Sequence, residues 1–195
     1  EVPHDWMSVT LATTREGTDA ASVQHQLKLA VDAALAEARK VAKPGQVEVQ
    51  TGAFSIFPRY GTKGTMTGWQ GQTEMVVEGR DMGAIAQLTG RIGSLTIARV
   101  SQGLSREARE KVEAEVSANA VARFRARAAE LARQFGYAGY VVREVNVSAD
   151  APPVGIMPMA RGKVMMAQAD AGEALPVEAG KGTVTATVSG SVQMK

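Results

Sequence analysis

Apolar residues recur at two spacings along this chain, and the switches between them divide it into elements. Met7, Val9 and Leu11 alternate with Ser8, Thr10 and Ala12, the two-residue period of a half-buried strand. Thr18 or Asp19 then caps a helix whose apolar row is Val23, Leu27, Ala30/Val31, Ala34, Ala38 and Val41, close to a 3.6-residue period. Lys43-Pro44-Gly45 ends it, and Val47 and Val49 begin a second strand. Around Gly52 the inward parity passes from odd positions to even ones, Phe54 and Ile56, which predicts a β-bulge. Pro58 lacks a backbone donor, so this strand is expected to end at Phe57-Pro58 and to turn over residues 58 to 64. Residues 65 to 79 read as a third strand with Trp69, Met75 and Val77 on one face. Asp81 caps a short helix carrying Met82, Ile85, Leu88 and Ile92, and residues 95 to 102 form a fourth strand. The order over residues 7 to 102 is β-α-β-β-α-β, the split βαβ arrangement.

A long helix follows, from its cap at Ser105 to about residue 135, with Gly136 as its stop. Its first half carries Arg106/Glu110, Glu107/Lys111 and Arg109/Glu113 pairs one turn apart. Its second half carries a sharper stripe, Val121, Phe124, Ala128, Leu131 and Phe135, expected to bury on its own sheet. Val112 and Val116 lie on a rotated face, free to meet a neighbour. A fifth strand spans 141 to 147, and residues 150 to 176 read as a flexible loop with Pro152, Pro153 and Pro158. The closing strand alternates most cleanly. Val184, Ala186, Val188, Val192 and Met194 share one face, and Thr183, Thr185, Thr187, Ser189, Ser191 and Gln193 the other.

Composition adds mainly exclusions. The 195 residues are 45% hydrophobic and 22% charged, enough apolar content for a real core. Basic and acidic residues, 22 and 20, are interspersed and leave a net charge of +2, without the basic stripe of a nucleic-acid binder. With no cysteine there is no disulfide framework, thiolate metal site or cysteine nucleophile, a composition compatible with an oxidising compartment. No apolar run is long enough to predict a transmembrane helix.

Taken in order, several segments resemble the SIMPL domain family, also called DUF541, of bacterial periplasmic and outer-membrane-associated proteins. They are "VPHDWMSVTLAT" and the helix after it, "VEVQTGAFSIFPRYG", "MTGWQGQTEMVVEGRD", "ANAVARFRARAAELARQFGY" and the tail "ALPVEAGKGTVTATVSGSVQMK". The resemblance spans nearly the whole chain. It implies one domain over 1–195, exported to the periplasm after loss of a signal peptide, able to self-associate, associated in some members with the outer membrane and linked to envelope or oxidative-stress physiology. It implies no catalytic or cofactor-binding residues. The family carries a full strand ahead of its Pro-x-Asp element, whereas only Glu1 and Val2 precede Pro3 here. The resemblance therefore implies a missing first strand, and with it the edge of the sheet is left undefined.

The candidate chemistry is sparse. His4 and His25 are the only histidines, too few and too scattered for a catalytic triad or a zinc site. Gly61, Gly64, Gly68 and Gly71 run through a turn and a strand, without the ending or helix context of a phosphate loop. Arg59 and Tyr60 sit where a strand gives way to a turn, and read as structural. Arg123, Arg125, Arg127 and Arg133 cluster on the long helix with Glu130 among them, as a solvated or interface face. Four of the nine methionines fall within ten residues: Met157, Met159, Met165 and Met166. Flexible methionines filling an irregular interface are the favoured reading, and a soft thioether site for Cu(I) the alternative.

These observations define an α+β protein: a split βαβ portion, then a long helix and C-terminal strands, with a mixed or antiparallel sheet. The functional expectation is a non-enzymatic exported protein that assembles as a homo-oligomer through its long helix and uses no cofactor or nucleic acid. The alternative is a ligand- or metal-binding stress protein using the methionine-rich loop.

Overall fold

A computed structural model of the protein describes residues 1–150 and 178–195. In chain order its elements are β1 (Val2–Pro3), β2 (Trp6–Gly17), α1 (Ala20–Ala38), β3 (Glu48–Tyr60), β4 (Met66–Gly79), α2 (Met82–Arg91), β5 (Thr96–Gly103), α3 (Arg106–Gln134), β6 (Tyr140–Asp150), β7 (Lys181–Gly182) and β8 (Thr185–Met194). Among the described residues, one unit holds 5–103 with 178–179, and the other holds 1–4, 104–150 and 180–195.

In the first unit, β3, β4, β2 and β5 form an antiparallel sheet in that order. This is the arrangement the split βαβ order predicts, with the first strand in the interior and both helices on one face. Alternation decides which face is covered. Met7, Val9 and Leu11 of β2 lie opposite Gly79, Val77 and Met75 of β4, and residues directly opposite share a face. All five of these apolar side chains are fully buried. The helices close over them, with Ala30, Ala34 and Ala38 from α1, Ile85 and Leu88 from α2, and Ile92 at its C-cap, in the same cluster. The other face carries Ser8, Thr10, Gln70, Gln72, Glu74 and Glu78, the polar half of the same alternation.

Both helices of this unit begin as their sequences predict. Asp19 Oδ1 accepts from the Ser22 amide at 2.8 Å, so Asp19 rather than Thr18 is the cap, and Asp81 Oδ1 accepts from the Ala84 amide at 2.9 Å. The bulge expected near Gly52 is present as a register shift between Thr51 and Phe54.

Pro58 does not end β3. The strand continues through it to Tyr60, with Pro58 opposite Trp69 and Arg59 opposite Gly68. The reason is position in the sheet. Among the described residues β3 is an edge strand, paired on one side only, and an edge is where a ladder tolerates a residue without an N–H. The chain reverses just after it, where the Gly61 amide donates to the Thr65 carbonyl at 2.8 Å and Gly64 takes φ +73°. Tyr60 remains 65% exposed and does not cover the edge.

In the second unit α3 runs almost as far as its sequence predicts. Ser105 Oγ accepts from the Ala108 amide at 3.2 Å at its start. At its end the Tyr137 amide donates to Ala132, the Gly136 amide donates to Arg133, and Gly136 has φ +77°. That pattern is a Schellman cap, and its left-handed residue is the glycine that marks the stop in the sequence. Arg106 bonds Glu110 at 2.8 Å one turn on, and this bond, then the Glu110 charge, raises the arginine pKa further. β6 and β8 pair antiparallel, and reciprocal bonds between Gly139 and Lys195 at 3.1 and 2.9 Å extend the pairing. β1 and β7 form a separate short pair, with Val2 opposite Gly182.

Candidate functional site

Within the second unit, α3 lies over one face of the β6–β8 ribbon and leaves a groove of about 650 Å³ along β8. Residues about one turn apart along α3, Val116, Ala120, Phe124, Ala128 and Leu131, line one wall. The floor comes from Val184 and the alternating face of β8 after it: Ala186, Val188, Gly190 and Val192. The space has a compositional cause. Ala120 and Ala128 on the helix and Ala186 and Gly190 on the strand are small, so helix and sheet cannot interdigitate as larger residues would. Gly190 must be small for a second reason. It lies beside a bulge in β6 between Val142 and Glu144, and a Cβ on it would stand 2.1 Å from the Glu144 carbonyl oxygen.

One lip of the groove is polar. Asn119, Arg123 and Arg127 form the next row along α3. Arg127 is bonded to Glu130 at 3.1 Å, and Glu130 also accepts from Gln134 at 3.1 Å. Arg123 forms no hydrogen bond or ion pair among the described residues, so the lip presents an uncompensated guanidinium. Tyr140, at the start of β6, donates from its hydroxyl to the Arg125 carbonyl at 3.1 Å and ties the ribbon to the middle of the helix.

The apolar face extends beyond what α3 covers. Val142, Val145 and Val147 lie opposite Val192, Gly190 and Val188 and share their face, yet are 42%, 41% and 45% exposed. Among the described residues, neither β6 nor β8 pairs with any other strand, so both outer edges of the ribbon are open.

The helix stripe read from sequence is placed in part. Phe124, Ala128 and Leu131 enter the groove, while Phe135 caps the helix end and is 69% exposed. Its exposure has a plain cause: Phe135 is the residue at which the helix leaves its axis for the left-handed turn. Val116, expected on a face free for a neighbour, instead lines the groove with Ala120. Val121 is half-buried but is not part of the lining. Among the described residues no cluster of His, Asp or Glu could hold a metal ion. His25 is exposed on α1, and His4 packs beside Gly182. Arg59 pairs with Glu16 on the polar sheet face rather than lining a site. Met157, Met159, Met165 and Met166, and the loop expected over 150 to 176 from residue 151 on, lie outside the described residues.

Fold and groove thus define an α+β protein whose split βαβ sheet is joined in sequence to a helix-on-ribbon unit with an apolar groove. The chain belongs to the SIMPL family, proteins of unknown function (DUF541), whose profile matches residues 1–192. No curated protein matches it. No helix among the described residues is long and apolar enough to cross a membrane.

Proposed function

We propose that this protein is a non-enzymatic component of the bacterial envelope, exported to the periplasm, that works by assembling with copies of itself. One observation carries the reading: among the described residues the β6–β8 ribbon has two open edges and a row of half-exposed valines on its apolar face. A long open edge invites pairing, and apolar side chains left exposed on the same ribbon favour a partner that covers them. A second copy remedies both deficits, adding backbone partners at an edge and covering Val142, Val145 and Val147. The length of α3 favours the same outcome. Its 29 residues extend about 44 Å, against about 33 Å for the ten residues of β8. The stretch ahead of Val116, with half-buried Val112, is then available to a neighbour. Periplasmic export, with a role in envelope or oxidative-stress physiology, follows from the family resemblance, and the lack of cysteine agrees with an oxidising compartment.

The test is the solution mass of the full chain by light scattering over a wide concentration range, beside the variant Val145→Lys/Val147→Lys. Assembly in the parent and loss of it in a variant with unchanged circular dichroism is the expected result. A parent that stays monomeric at every concentration overturns the proposal.

A further inference from the structure

We propose that the groove between α3 and β8 binds a single-chain amphiphile with an anionic head. In this arrangement the hydrocarbon chain lies between the helix and the strand, and the head meets Arg123 and Arg127. Self-association involves the edges of the ribbon and the valines of β6, which share the ribbon face of the groove floor but are not in its lining.

Three features of the groove select this ligand class. Its volume of about 650 Å³ is in the usual range for sites that enclose a small molecule, ~300–1,000 Å³. Its shape is elongated, because the lining runs from Val116 to Leu131, on the order of 22 Å of helix. Its helix wall and floor are aliphatic apart from Phe124 and Thr185, and its other polar residues, Asn119, Arg123 and Arg127, form the lip. None of these polar residues is buried, so none is set inside the groove to orient a sugar, a nucleotide or a peptide backbone. A long, half-open and largely apolar groove suits a methylene chain, whose removal from water is favourable.

The charge on the lip sets the head group. Arg123 and Arg127 are one helical turn apart and both border the slot, so their guanidiniums can converge on one anion at its rim. A planar guanidinium forks onto a carboxylate or a phosphate with two parallel bonds. Arg127 is held by Glu130, whereas Arg123 has no partner among the described residues, and it is the group an incoming anion would complete. The helix presents these arginines beside the apolar row rather than opposite it. A carboxylate-headed chain such as a fatty acid and a phosphate-headed chain such as a lysophospholipid share this chemistry.

The experiment uses the full chain and the fluorescent fatty acid cis-parinaric acid below its micellar concentration. Palmitate and hexadecyl phosphate should displace the probe, hexadecanol should do so at least tenfold more weakly, and inorganic phosphate alone should not. The ratio of palmitate to hexadecyl phosphate reports which head the site prefers. Arg123→Glu/Arg127→Glu should lower palmitate affinity at least about tenfold, the effect of losing one charge-assisted bond, while leaving hexadecanol unchanged. Ala120→Trp fills the slot and should abolish binding of both. Val188→Trp does the same from the strand side if the helix variant fails to fold. Several outcomes overturn the proposal: no probe binding by the parent, equal affinity for palmitate and hexadecanol, displacement by phosphate alone, or full binding in a folded tryptophan variant. Loss of binding only on disassembly, in Val145→Lys/Val147→Lys, also overturns it, because the site would then belong to the interface between copies.

Discussion

Gly79 and Gln46 meet so closely that no side chain fits between them: a Cβ on Gly79 would stand 1.9 Å from the Gln46 carbonyl oxygen. The same carbonyl accepts from the Asp81 amide at 3.1 Å, so the segment before β3 is bonded to the start of α2 over the end of β4. Gly79 also takes φ +155°, where a Cβ adds strain to the clash. Gly79→Ala must therefore displace backbone rather than a pliable side chain, and is expected to cost at the upper end of the ~1–3 kcal/mol typical of overpacking. Chemical denaturation followed by circular dichroism measures it. A contrast lies four residues on. Gly83 is inside α2, and its nearest neighbour to a new Cβ is Asp81 Oδ1 at 3.6 Å, an ordinary contact. Gly83→Ala should stabilise by about 0.4–1 kcal/mol through the unfolded chain.

Gly71 has a different obstacle. Its added Cβ would lie 2.6 Å from Leu27 Cδ1 and 2.8 Å from Val23 Cγ1, both side-chain atoms of α1. Gly71→Ala should destabilise by about 1–3 kcal/mol. Because the obstacles are side chains and Leu27 is the nearer, Leu27→Ala should relieve part of the clash, with Val23 Cγ1 left to give way. The double variant is expected to be more stable than the sum of the two single losses, by at least 0.5 kcal/mol of coupling. Strict additivity would show that α1 shifts as a body instead.

Arg59 and Glu16 form an ion pair across Gly68, on the polar face of the sheet, with side chains 46% and 53% exposed. Glycine in the intervening strand leaves the path over β4 clear. Exposed pairs of this kind contribute about 0–1 kcal/mol. Arg59→Ala is expected to change stability by less than 1 kcal/mol, and that small effect should shrink further in molar salt.

What could be read from the sequence divides along physical lines. The first unit was legible because one face of its sheet is dry. Met7, Val9, Leu11, Met75 and Val77 announce themselves by period, and Asp19 and Asp81 by cap chemistry, as Ser105 does for α3 in the second unit. Pro58 was misread because the local rule, no donor and hence no ladder, depends on whether the strand is at an edge, which is a property of the whole sheet. The groove was half legible. Phe124, Ala128 and Leu131 belong to a visible stripe. Ala186, Val188 and Val192 fall on the face that alternation marks in the sequence, whereas Ala120 and Gly190, which shape the groove by being small, lie outside the rows that periodicity draws. The pairing of Arg127 with Glu130 followed from spacing, but the lack of a partner for Arg123 is visible only in three dimensions.

Phe135 and Phe124 separate the helix stripe as periodicity draws it from the stripe as the fold uses it. Both belong to one apolar row in the sequence, and burial of an aromatic in a core commonly makes its removal cost ~3–5 kcal/mol. In the structure Phe124 is half-buried in the groove wall, whereas Phe135 is 69% exposed at the helix end, next to Tyr137 at 48%. Phe124→Ala removes wall atoms that α3 sets against the ribbon. It should cost more than 1 kcal/mol, but less than a fully buried aromatic because water already reaches part of the ring. Phe135→Ser removes contacts that the second unit barely makes, while Gly136 and the Schellman bonds remain to end the helix. It should change stability by less than about 0.5 kcal/mol, as surface substitutions usually do. Chemical denaturation of both variants, followed by helix circular dichroism at a concentration where the parent is monomeric, measures the difference. A loss at Phe135 equal to or greater than that at Phe124 would mean that the helix end packs against the protein, and that the row is a single stripe after all. A stability change confined to concentrations at which copies associate would instead make the Phe135–Tyr137 corner part of the assembly surface.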